Sequence, residues 1–387
     1  MKLYSIVLFS LFYQISIKGM TILVTLYALH LNASPTLLGI IIASGSLFPM
    51  LLASFAGRMA DRINLNFLLV VGMVGTGVTL FIPYFYPANI LYLIGVQLLF
   101  GLFQILTVVS LQNLIGRISS TANRTKNYGA YTLSVSIANL IGPLIAGLTI
   151  DHVSYEATYL VFGIFSIMPA VYFMFANLQT NLIQTSNRNE AKKPKNLLFD
   201  IQLRNVFITS GIILTGVGLF EFYFPIYTES LGLSSSTIGM LVSIHSAGFI
   251  ISRLLMVKLQ NTFSPQQIIS VCLYIAAGAF FFIPFMKLVP LLGLVAFILG
   301  LGLGCCQPLS IVMAYNESPS GQTGEVLGIR LTVNKAVQVA VPIVFSSMSF
   351  LGFYVIFWFN TIVLAIGGRI LLKSNSYQRS EHPESFK

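Results

Sequence analysis

The sequence predicts an all-α membrane protein, with twelve transmembrane helices in two pseudo-symmetric six-helix halves. Three observations predict it. Apolar runs of about 20 residues recur from one end of the chain to the other, each long enough to cross roughly 30 Å of hydrocarbon. Of the 387 residues, 56% are hydrophobic and only 8% are charged, where soluble domains carry about 25% charged residues. The chain also repeats itself. Ser34, Gly39, Ser46 and Arg58 recur at one offset as Ser234, Gly239, Ser246 and Lys258, and Tyr27 and Leu31 recur as Tyr227 and Leu231. Gly129 and Pro143 recur near Gly328 and Pro342, with the offset changed by one. Such repeats are a common plan for secondary transporters, with the substrate site between the halves. A membrane barrel would show ten-residue alternating segments instead.

In order, the spans of the first half fall at roughly 3–30, 35–58, 67–86, 90–115, 127–150 and 156–178. The first run is too long for a signal peptide and lacks a cleavage site, so it reads as helix one. The second ends abruptly in Gly57-Arg58-Met59-Ala60-Asp61-Arg62. Pro83-Tyr84-Phe85-Tyr86-Pro87 reads as a tight turn with tyrosines at the headgroup level. Gln179–Leu203, polar, basic and interrupted by Pro194, reads as a cytoplasmic linker. The second half gives roughly 205–230, 236–258, 267–286, 290–314, 325–349 and 352–372. The domains are therefore 1–178, a linker 179–204, 205–372 and a disordered tail 373–387.

The net charge of +10 suggests nucleic acid until its distribution is read. Apart from Lys287 at the opposite face and Lys18 and Lys335 inside helices, the 21 Lys and Arg occupy one set of alternate loops and tails. That is the positive-inside pattern of a multi-pass protein of the cell inner (plasma) membrane, with both termini cytoplasmic. The charge meets lipid headgroups, not nucleic acid. Gly300, Gly302 and Gly304 lie inside an apolar span and read as close helix packing, not a phosphate loop. No P-loop is present, and no cofactor or metal is expected. Cys272, Cys305 and Cys306 form neither a disulfide framework nor a zinc pattern. The adjacent pair points in different directions on a regular helix, so buried inert thiols are expected.

At Gly57–Asn66 the chain resembles the major facilitator superfamily, whose signature between helices two and three runs roughly Gly-x-Leu-Ala-Asp-Arg-x-Gly-Arg-Arg. Gly57, Met59, Ala60, Asp61 and Arg62 match or nearly match, while Asn64-Leu65-Asn66 departs from the basic end. The resemblance covers nearly the whole chain and implies a conformational switch. Gly57 lets two helices approach closely, and Asp61 accepts from a helix N-terminus and pairs with a basic residue, for which Arg117 is the candidate. A plain charged surface loop is the alternative. Asn261 stands where Asp61 would repeat, so the switch is asymmetric.

In helix five, Gly142-Pro143-Leu144-Ile145-Ala146-Gly147 resembles the Gly-Pro-x-x-Gly-Gly segment of the superfamily's antiporters, with Ala146 in place of one glycine. The second copy keeps the proline, as Pro342, and loses the glycines. Proline and small residues let that helix bend and its partner roll; an ordinary packing kink is the alternative. The segment leans towards export. Gln97, where drug antiporters of the superfamily usually carry arginine, leans away from it.

Ionisable groups inside a membrane are costly and mark function. Glu221 lies mid-helix seven and in repeat register matches Thr21, one turn from Lys18 on the same face. Desolvation of a carboxylate at such depth suits a proton-coupling residue. A static ion pair with Lys18 or Lys335, or a contact to a cationic substrate, are the alternatives. The neutral residues Gln14, Gln104, Asn139, Gln307 and Gln338 complete the cavity candidates with Lys18, Lys335 and His245, the last read as packed more readily than as a relay. Arg330 is expected to snorkel towards the cytoplasm. Lys18 and Lys335 outnumber Glu221, which suits an anionic or zwitterionic solute. The expected protein is a monomeric secondary transporter whose partners are a small-molecule substrate, protons and the lipid bilayer. Proton-coupled efflux by alternating access is the first reading and uptake of a small anionic metabolite the second. A membrane-embedded enzyme would show clustered catalytic groups near a headgroup plane, and the sequence has no such cluster.

Overall fold

The computed structural model describes residues 2–86, 90–118, 124–176, 201–318 and 323–381. Among them, 12 helices are long and apolar enough to cross a membrane. The first six spans are α1 (Lys2–His30), α2 (Pro35–Arg62), α3 (Leu65–Phe85), α4 (Tyr92–Ile118), α5 (Arg124–His152) and α6 (Tyr155–Phe175). The others are α7 (Ile201–Ser230), α8 (Ser235–Gln260), α9 (Pro265–Phe282), α10 (Val289–Gly304) with α11 (Cys306–Asn316), α12 (Thr323–Ser347) and α13 (Gly352–Glu381).

The duplication reaches the backbone. Asn32 and Gly232, repeat mates, both take left-handed φ, 58° and 77°, and stop α1 and α7. Serine then starts the next helix in each half. Ser34 Oγ accepts from Leu37 N–H, and Ser234 Oγ accepts from Thr237 N–H. α9 begins with a full capping box, Ser264 with Gln267.

The tenth span is broken where the sequence reads a continuous helix. Pro308 has no N–H to give the Gly304 carbonyl, so the ladder fails there. Arg253 Nε donates to that carbonyl instead, at 3.2 Å. The three glycines before the break do serve close packing. A Cβ on Gly302 would lie 2.9 Å from Cys272 O, and one on Gly304 would lie 2.7 Å from Phe249 Cα. Two further differences concern helix ends. α3 continues through Pro83 to Phe85, so the turn expected from Pro83 begins only at Tyr86. α13 runs past Lys373 to Glu381, with no Gly or Pro before Pro383, and the tail beyond Glu381 lies outside the described residues. The linker Gln179–Leu203 lies outside the described residues as far as residue 200.

The chain divides into two compact units. The first comprises Met1–Arg188, Glu221–Ser243 and Pro342–Ser347, and the second Asn189–Phe220, Ile244–Val341 and Met348–Lys387. In the first, α1 packs on α5 and α6, α2 on α4, and α3 on α4 and α6. In the second, α9 packs on α10, α11 and α13. Large apolar side chains remain outside, among them Phe67, Leu254 and Phe350, a surface suited to lipid.

Candidate functional site

In the first unit the polar centre forms where α1 meets α5. A Cβ on Gly142 would stand 2.7 Å from Gly19 N and 2.9 Å from Ile15 O, so the two backbones touch beside Lys18. Gln14 is buried and donates from Nε2 to Tyr131 OH at 3.0 Å. Lys18 and Glu221 are half-buried, and no ion pair joins them among the described residues. Glu221 has a further property that its sequence position dictates. Pro225 lies four residues on, so the Glu221 carbonyl loses its normal intrahelical donor. Pro143 does the same for Asn139, and Pro342 for Gln338. Three of the expected cavity residues thus share one local pattern, a polar side chain four residues before a proline.

In the second unit, Arg330, Asn334 and Gln338 recur every four residues and form one stripe of α12. Arg330 is 4% exposed and does not snorkel. It donates to Gln307 O at 3.3 Å and to Ser310 Oγ, both in the first turns of α11. Ser210 Oγ donates to Asn334 Oδ1 at 2.6 Å, and Lys335 Nζ to Gln338 Oε1 at 2.9 Å. His245 is buried, stacked on Phe220 with ring centroids 3.8 Å apart, so it sits in aromatic packing. Gln104 and Gln307 are half-buried.

Sequence reasoning missed a junction between α5 and α8, both segments lying in the first unit. Asp151 accepts from Ser235 N–H at 3.0 Å and from Ser236 N–H at 2.7 Å, the first amides of α8. Ser236 Oγ donates to Gly147 O, and deeper Ser243 Oγ donates to Leu140 O at 2.6 Å. A Cβ on Gly239 would collide with Pro143 O. The duplication makes the same contact again: a Cβ on Gly39 in α2 would lie 2.6 Å from Pro342 O in α12.

The side chains of Asp61, Arg62 and Arg117 lie outside the described residues. Among the described residues, nothing lies within 4 Å of where a Cβ on Gly57 would be. An apolar crevice of about 510 Å³, lined by Phe9, Met168 and Tyr172 among others, contains none of the candidate residues and suits a lipid chain.

The family model of the Major Facilitator Superfamily matches residues 5–342 and again 206–387. The chain belongs to the major facilitator superfamily. As a member, with twelve helices long and apolar enough to cross a membrane among its described residues, it is a multi-pass membrane protein. It is similar to the Staphyloferrin B transporter of Staphylococcus aureus (strain NCTC 8325 / PS 47), 25% identical over 51% of this chain and 50% of that protein. The chain therefore spans about half the length of that relative. It is similar to the Multidrug resistance protein MdtG of Klebsiella pneumoniae (strain 342), 22% identical over 87% of this chain and 81% of that protein. Among solved structures, a POT family transporter in complex with a thioalcohol-conjugated peptide has a TM-score of 0.81 at 14% identity, covering 97% of this chain and 96% of that chain. That likeness concerns the fold alone.

Proposed function

We propose that this major facilitator exports a small organic molecule in exchange for protons, by alternating access. Glu221 carries the reading: a carboxylate inside the membrane helix α7 (Ile201–Ser230), half-buried, with its own carbonyl released by Pro225. Acids at that depth are costly and serve proton relays in pumps and transporters. As water reaches the group from one side and then the other, it can load and release a proton. The name of the multidrug resistance relative supports export. In this reading the termini are cytoplasmic, the Asp151 end faces outward, and Asp61 with Arg117 forms the opposing switch.

The second reading is proton-coupled uptake of a small anion. Lys18, Arg330 and Lys335 favour it by charge.

The test uses proteoliposomes with an imposed pH gradient, ethidium as an amphipathic cation and citrate as an anion. Export predicts gradient-driven ethidium movement, abolished in Glu221→Gln while gradient-free exchange survives. Citrate accumulating with protons would favour uptake. Undiminished gradient-driven movement by Glu221→Gln would remove it as the coupling residue.

A further inference from the structure

The break in the tenth span brings the three cysteines together. On a regular helix Cys305 and Cys306 would point about 100° apart. With the helix interrupted at Cys305, both sulfurs instead turn towards Cys272 of α9. The three Sγ atoms all lie within 4.8 Å of one another, and Cys272 and Cys305 are 3.3 Å apart. All three residues are buried, at 8%, 1% and 0% exposure for Cys272, Cys305 and Cys306. Cys306 Sγ donates to Gly302 O at 3.1 Å. α8 closes the other side, with Ser252 against Gly304 and the Arg253 guanidinium on the Gly304 carbonyl, one residue from Cys305.

We propose that Cys272, Cys305 and Cys306 form a binding site for Cu(I). Sulfurs about 2.3 Å from a shared ion in a trigonal plane lie about 4.0 Å apart. The Cys272–Cys305 separation and the outer limit of the cluster, 3.3 Å and 4.8 Å, stand on either side of that value. Thiolates select soft ions. A closed zinc site takes four ligands, and the cluster among the described residues has three. Charge also favours the ion. When two of the thiols release their protons to solvent, two negative charges face one positive charge from Cu(I) and one from Arg253, and the buried site is neutral.

The full-length protein in detergent is titrated anaerobically with Cu(I) held by bicinchoninate. The wild type is expected to withdraw one Cu(I) per chain, with a sulfur-only first shell by X-ray absorption. Each single Cys→Ser change should weaken binding by at least the roughly 10–100-fold seen when only supporting groups around a metal are lost. The triple Ser variant should take up none. Uptake by the triple variant equal to wild type would overturn the site. So would a nitrogen or oxygen first shell in the wild type, a measurement that stands even if a variant fails to fold.

Discussion

Replacing Asp151 tests the α5–α8 junction directly. The carboxylate holds the first two amides of α8, where a negative charge also meets the helix dipole. For an exposed group that charge contributes about 0.3–1 kcal/mol. Asp151→Asn removes the charge and leaves one acceptor, so the junction should open about two- to five-fold more often. Asp151→Ala removes both bonds. Hydrogen bonds to charged groups contribute about 1.5–3 kcal/mol, discounted here to about 1–2 kcal/mol because the side chain is exposed. That is about a 5–30-fold change. Hydrogen–deuterium exchange read by mass spectrometry measures it on α8. Loss of the two bonds alone accelerates exchange only at Ser235 and Ser236. Opening of the junction also accelerates exchange deeper, towards Ser243, whose hydroxyl bonds Leu140 O. Exchange in Asp151→Ala equal to wild type at both depths would refute the reasoning.

Gly239→Val should place a side chain against Pro143 O and accelerate exchange over the first turns of α8, while Gly278→Val, where a Cβ meets nothing within 4 Å, should not. Arg330→Met should remove the guanidinium bonds to Gln307 O and Ser310 Oγ and lower stability by about 1–3 kcal/mol, read as a fall in Tm in detergent. A cysteine placed in the linker Gln179–Leu203 should stay unlabelled by an impermeant reagent in intact cells; labelling would reverse the assigned topology.

Most of the fold is legible in the sequence because membrane helices must be long, apolar and internally bonded. The Ser34 and Ser234 starts are legible for a local reason, a serine placed to cap the next turn. The break at Cys305 escapes the sequence reading although Pro308 announces it, because the glycine run before it reads as packing, which it also is. The convergence of the thiols follows from that break and is hidden with it. Asp151 escapes the sequence reading, since its partners are 84 and 85 residues away and no local pattern records them. Asn334 is within reach of the sequence: it stands four residues after Arg330 and four before Gln338.

The twin contacts of Gly39 and Gly239 give the first unit two seams of similar backbone geometry and different chemistry. Along α2–α12 the seam is glycine on a proline carbonyl, with Ser346 Oγ turned to its own helix. Along α5–α8 the same packing carries a carboxylate as well. Ions in solution weaken the second seam and leave the first nearly untouched. Parting is therefore expected to start at α2–α12. Raising the ionic strength should bring the two edges closer to parting together.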